Sequence, residues 1–320
     1  MPSFDRLLVA TDFSAASQAA CRTAIETCIA LRAGLVILHV LNPDTATLPA
    51  SVGLVGDGQE NDERACDKEM PETVGHNDRR RASLEEMRQQ ALRAGVDCEA
   101  MLGSGNAAAT ILEAISAKKI DLVVMGTDAL HGLDRIVFDS TTEAVLRKAP
   151  CPVLTVGPRA MNSEAAQMPA GPIIFATDFH FVTIHAIRFA AGFSRSTGSP
   201  LHCLHVMPRT LEACTRCQDV PAIMSEALQQ LADESGVVVG APICATTYGS
   251  EVSTAVVDYA RQEKARLVVL GVRKASLLAA QHLHIAYRII TEAPCPVLTM
   301  AFASQPVAAA EISQSASAAL

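Results

Sequence analysis

Residues 121–157 read DLVVMGTDALHGLDRIVFDSTTEAVLRKAPCPVLTVG. Leu122–Met125 is a short apolar run with the length and residue types of a buried strand. Gly126 closes it, a polar loop follows, and a helix is expected to begin near Asp139 and Ser140. A second apolar run, Pro152–Val156, supplies another strand. A strand, a glycine loop and a helix N-terminus in this order can hold an anion, because the first N–H groups of a helix are unpaired and its dipole favours negative charge there.

The unit recurs. Residues 266–300 read RLVVLGVRKASLLAAQHLHIAYRIITEAPCPVLTM, with Gly271 in the place of Gly126 and APCPVLT at both 149–155 and 293–299. Upstream, VATDFS at 9–14 returns as FATDFH at 175–180, and LHV at 38–40 returns at 204–206. One α/β unit is used twice.

Each copy alternates strand and helix. In the first, strands are expected over 6–10, 35–40 and 96–102, with helices over 15–33, 81–94 and 106–118. Gly34 reads as the residue that ends the first helix. In the second, strands fall at 173–176, 201–206 and 237–247, and helices at 182–197, 223–233 and 252–262. Such order gives parallel sheets with helices on both faces. The expected organisation is a first domain over 1–157, a linker over 158–171, a second domain over 172–302 and a tail over 303–320. Residues 42–80 read as an irregular insertion. Asp12 matches Asp178 before it and Gly126 matches Gly271 after it, so the first copy is longer here by about 21 residues.

Composition narrows the function. Hydrophobic residues make up 49% of the chain and charged residues 19%, enough for two cores. The net charge is −8 and no basic block stands out, which argues against a nucleic-acid binder. No apolar run approaches a membrane span, and the first residues lack the zones of a signal peptide, so a cytoplasmic location is expected. Most of the 10 cysteines sit in apolar patterns as small hydrophobes.

With VATD at 9–12, LHV at 38–40, the glycines at 103 and 105, VVMGT at 123–127 and the APCPVLT repeats, the chain resembles the universal stress protein family in two tandem copies. The resemblance implies a five-stranded parallel sheet of order 3-2-1-4-5 in each copy. Its crevice would lie where strands 1 and 4 diverge. It also implies pairing of the last strands, here 152–156 with 296–300, into an internal pseudo-dimer. A homodimer is left open.

ATP-binding members of that family resemble one another in a loop G-x-x-G-x9-G-[S/T], and the resemblance implies nucleotide contacts for Thr11, Asp12, Val40, Gly126, Thr127, Ser140 and Thr141 in the first copy. Two positions depart: Ala129 and Asp139 stand where glycines are expected. A carboxylate at a helix N-terminus accepts the N–H bonds a phosphate would use and repels its charge. In the second copy Asp178, Val206 and Gly271 remain, while Lys274, His284 and Ile285 replace the loop residues. Beside this reading stand plainer ones: caps for Asp12, Asp178 and Ser140, and tight turns for Gly126 and Gly271.

The reading is a stress-response binding or regulatory protein, not an enzyme, that admits ATP in the first copy and no cofactor in the second. Its alternatives are an ATP sensor or weak ATPase, and a zinc- or thiol-responsive module built on Cys214 and Cys217. A CxxC pair supplies only two of the roughly four ligands zinc needs, so the reading does not call for zinc.

Overall fold

The computed structural model describes residues 4–41, 72–128, 130–132, 135–137, 140–161, 170–179, 186–212, 219–235, 241–273 and 280–302. The first half runs β1 (Arg6–Thr11), α1 (Ala15–Leu31), β2 (Gly34–Leu41), α2 (Glu72–Arg93), β3 (Cys98–Ser104), α3 (Ala107–Ala117), β4 (Leu122–Gly126), a hairpin of β5 (Leu130–Gly132) and β6 (Arg135–Val137), α4 (Ser140–Lys148) and β7 (Val153–Val156). After a turn of helix, α5 (Pro158–Met161), the second half repeats the plan. It comprises β8 (Ile173–Ala176), α6 (Ile187–Thr197), β9 (Leu201–Pro208), α7 (Val220–Ser235), β10 (Ile243–Gly249), α8 (Val252–Gln262), β11 (Leu267–Arg273), α9 (Ala280–Glu292) and β12 (Val297–Phe302).

Ten strands form one sheet in the order β10-β9-β8-β11-β12-β7-β4-β1-β2-β3. Each half therefore has the expected 3-2-1-4-5 order. All neighbours are parallel except β12 and β7, which meet antiparallel with Leu298 opposite Leu154. That single pair joins two sheets into the pseudo-dimer.

Alternation along the strands sends successive side chains to opposite faces. Leu7, Val9, Leu35 and Ile37 pack on one face with α1 and α2, and Phe175, Val269 and Leu298 extend that same layer into the second half. Leu8, Val36, Val123 and Met125 face the other way with α3 and α4, continued by Val268, Val297 and α8 and α9. Both layers run through the junction. Phe4, from the first half, sets its ring 5.3 Å from Phe189 and 5.4 Å from Phe193 on α6.

Four local features differ from the sequence reading. Helix α2 begins at Glu72 rather than 81; its first residues, ETVGHND, carry no apolar stripe to mark a helix. The loop after β4 holds a hairpin, with Leu130 opposite Val137, too short to show as alternation. Helix α1 ends on Arg32, which adopts φ 56°; Gly34 already begins β2. Strand β10 runs Ile243–Gly249, leaving 241 and 242 outside it, while 237–240 of the expected strand lie outside the described residues. Residues 42–71, 162–169 and 303–320, read as insertion, linker and tail, lie outside the described residues.

The junction also depends on a backbone contact. A Cβ on Gly157 would sit 1.9 Å from the carbonyl oxygen of Ile290 on α9, well inside contact distance. Gly192, inside α6, has open space around it. Gly157→Ala should therefore destabilise the protein by about 1–3 kcal/mol through overpacking, whereas Gly192→Ala should stabilise it by about 0.5–1 kcal/mol. Urea midpoints of the two variants check both signs at once.

Candidate functional site

Strands β1 and β4 lie side by side, yet β1 feeds α1 on one face and the β4 chain returns through α4 on the other. Their C-terminal ends therefore flank a switch point, where an open α/β sheet leaves a crevice. A cavity of about 510 Å³ occupies it.

The β1 end is built by a short network. Phe13 takes a left-handed φ of 67°, costly for an aromatic residue. Three contacts hold it there. The Phe13 N–H donates to Thr11 Oγ1 at 3.0 Å. His39 Nδ1 donates to the Thr11 carbonyl at 2.7 Å, which puts the ring proton on Nδ1. The Phe13 ring packs against His39 with centroids 4.5 Å apart. The second half copies the device: Phe179 has φ 57°, its N–H donates to Thr177 Oγ1 at 3.0 Å, and His205 Nδ1 donates to the Thr177 carbonyl at 2.8 Å. This is why ThrAspPhe and LeuHisVal recur together in the sequence.

This turn aims Asp12 and launches α1. Ser14, not Asp12, is the helix N-cap, accepting from the Ser17 N–H at 3.2 Å. Asp12 accepts from the Ser14 N–H at 2.9 Å. Burial would raise the Asp12 carboxyl, but hydrogen bonds from Ser14 and Ser17 outweigh it and hold the group below its ordinary value.

Gly126 answers to a different constraint from the one its sequence position suggests. Helix α1 passes so closely over the end of β4 that a Cβ there would lie 2.2 Å from the Ala16 carbonyl oxygen. In the second half β11 runs on past Gly271, which pairs with Met300 inside the strand; Gly271 is no turn. Thr142, buried on α4, donates to the Gly126 carbonyl at 3.4 Å and ties the helix start to the strand end.

Of the first-half residues singled out in the sequence, Thr11, Asp12, Val40, Gly126, Thr127 and Thr141 all line the cavity. Ser140 is the first residue of α4. Ala129 and Asp139 lie outside the described residues. Sequence reading missed Ser14, Ser17, Asp128 and Thr142 as lining residues; the hydroxyls at 14 and 17, one turn apart at a helix start, were the available signal. Leu38, Val40, Ile111 and Met125 make an apolar floor, and the hydroxyls and two carboxylates make a polar wall. The Thr127 hydroxyl is buried without a hydrogen-bond partner among the described residues.

The second crevice holds a smaller cavity of about 260 Å³, lined by Asp178, Val206 and Gly271 among others. Counting back from the shared APCP pairs Thr141 with Ile285 and Thr142 with Ala286, and both line it, with Ile289 one turn on. His284 thus stands opposite Ser140; counting forward from Gly271 places the loop replacements one residue off, because the second loop is one residue shorter. Lys274 lies outside the described residues, as do Cys214 and Cys217. Among the described residues no cluster of three or more His, Cys, Asp or Glu could hold a metal. The described cysteines are free thiols, and burial pushes Cys21, Cys28 and Cys295 up to about 12, far from reactive.

The comparisons agree with this architecture. The universal stress protein family model matches residues 3–157 and again 170–300, so the chain belongs to the universal stress protein family. Universal stress protein YxiE of Bacillus subtilis is 28% identical over 153 residues, 48% of this chain and 99% of that protein. Universal stress protein MJ0531 of Methanocaldococcus jannaschii is 39% identical over 74 residues, 23% of this chain and only 44% of that protein. A solved universal stress protein from Archaeoglobus fulgidus covers 93% of this chain and 98% of its own at a TM-score of 0.67 and 18% identity, a likeness of fold. Among the described residues no helix is long and apolar enough to cross a membrane.

Two outcomes follow from this geometry. Thr127→Val removes a hydroxyl that is buried without a described partner, so it should leave the free protein unchanged or stabilise it by up to about 1 kcal/mol in thermal unfolding. Val272 already fills the matching position in the second half. Because the folded Asp12 carboxyl is held below its unfolded value of about 3.9, its contribution is present above that pH and lost as pH falls from there through the lower folded value. Asp12→Asn should lower the urea midpoint at pH 7, where that contribution is present, and flatten its fall as pH drops below about 4.

Proposed function

We propose that this stress protein acts by binding rather than by catalysis, and that its first crevice takes an adenine nucleoside or nucleotide. The observation that carries this is the convergence of Thr11, Asp12, Val40, Gly126, Thr127 and Thr141 on one cavity at the switch point. Its two-sided character supports the same ligand class. An aromatic base suits the floor of Leu38, Val40, Ile111 and Met125, and the ribose hydroxyls suit Asp12, an acceptor at neutral pH. The Thr127 hydroxyl, without a partner among the described residues, is a donor such a ligand can use.

The phosphate end is where this chain departs from ATP-binding relatives. Asp128 lines the cavity, and Asp139 directly precedes α4 in sequence. Two carboxylates near a polyphosphate oppose its charge. The expected ligand order is therefore adenosine and monophosphates ahead of ATP. In the second half Thr141 and Thr142 give way to Ile285 and Ala286 and Thr127 to Val272, so the same ligand loses its hydrogen-bond partners there.

Isothermal titration calorimetry tests the reading. Adenosine should bind at one site per chain, MgATP more weakly than micromolar, and Asp139→Gly should tighten MgATP by about tenfold, or 1.4 kcal/mol. Two equal sites per chain, or no binding of any adenine compound to either protein, would refute it.

A further inference from the structure

We infer that the second crevice is a separate binding site for a small, neutral, largely apolar organic molecule with one hydrogen-bonding end. Four pairs of matched positions carry this. Ala107, Thr127, Thr141 and Thr142 in the first crevice become Val252, Val272, Ile285 and Ala286 in the second. Every hydroxyl in that set is removed.

Simple infilling of an unused crevice explains only the inner changes. Val272 and Ala286 are buried, and apolar residues there are what any core prefers. The mouth is different. Val252 is 44% exposed and Ile285 is 36% exposed. Larger apolar side chains at solvent-facing positions gain nothing from infilling and cost hydration, so their use at both lips of one opening points to an apolar occupant.

The cavity is not closed by these changes. About 260 Å³ remains, walled by Val256, Leu270 and Ile289 as well as the substituted residues. Apolar space of this kind is poor for water and good for a hydrocarbon surface. A polar end survives where Thr177, Asp178 and His205 reach the cavity, and this sets the single hydrogen-bonding group of the ligand.

An ion pair links the two helices beside the entrance. Asn106 caps α3 by accepting from the Ala109 N–H at 3.0 Å, but its counterpart Glu251 makes no such cap. Glu251 instead pairs with Arg288, which also bonds Glu292 at 3.3 Å. This bridge runs from the start of α8 to α9, the two helices that carry Val252 and Ile285.

The test uses the full chain and the neutral fluorophore N-phenyl-1-naphthylamine. Its emission should rise saturably with one site per chain. Val252→Ala with Ile285→Thr, which restores the first-half residues at exposed positions, should weaken binding at least about tenfold, equal to 1.4 kcal/mol; Val252→Ala alone should weaken it by less. Adenosine should not displace the probe. Non-saturable emission, unchanged affinity in the double variant, or displacement by adenosine would each overturn the assignment. So would sedimentation showing that the wild-type chain self-associates and the double variant does not, since the apolar lips would then serve a second copy. Failure of adenosine to bind at all bears on the first crevice only and leaves the probe result to stand alone.

Discussion

The antiparallel meeting of β7 and β12 is the contact on which the rest of the architecture depends. A five-stranded sheet of order 3-2-1-4-5 leaves its fifth strand with an unpaired edge, and such an edge invites association. Here the partner edge comes from the same chain, with Leu154 and Leu298 in register and both fully buried. Once those strands pair, the helices on each face must also meet. The constraints at Gly157 and in the Phe4, Phe189 and Phe193 cluster are consequences of that meeting. The two crevices are then fixed in one body, each beside strand 4 of its own half.

Within that body the halves have kept one thing and changed another. The device that shapes the end of strand 1 is intact in both: a threonine hydroxyl, a histidine Nδ1–H and an aromatic ring hold a left-handed phenylalanine. Its cost in backbone strain is about 1–3 kcal/mol per site. Strain of that size persists only where surrounding contacts over-determine it, and the contacts are the same twice. The lining facing the opening has instead diverged, from hydroxyls to aliphatic groups. Scaffold and specificity are therefore separable in this molecule: His39 and His205 serve the first, while the residues at 141 and 285 serve the second.

Much of this was legible in the sequence because strand alternation and duplication both leave periodic marks. The parallel sheets followed from the strand–helix alternation and its repetition, while their order, the edge pairing and the first-half lining followed from the resemblance to the universal stress protein family. What escaped had no periodic trace. The start of α2 has Val74 alone among polar residues and a glycine, too little to show a stripe. Arg32 in a left-handed cap is a conformation most sequences reserve for glycine. Gly126 reads as a loop glycine, yet its role is set by the Ala16 carbonyl, 110 positions away in the chain and 2.2 Å from any added Cβ. Tertiary approach of this kind is invisible to local pattern. The one-residue difference between the two glycine loops shows only when the count runs back from APCP rather than forward from the glycine.

Tandem fusion explains why such divergence is available at all. In a symmetric dimer of identical chains, a substitution at the crevice mouth appears in both crevices, so a change that suits one ligand removes the other site as well. Covalent duplication lifts that restriction. Thr141 and Ile285 occupy matching places but mutate independently, and the shared sheet keeps both crevices folded whatever their lining. The same logic predicts where divergence stops. Residues at the β7–β12 seam touch both halves, so a change on either side is felt by both, and APCPVLT is the longest stretch the two copies still spell identically.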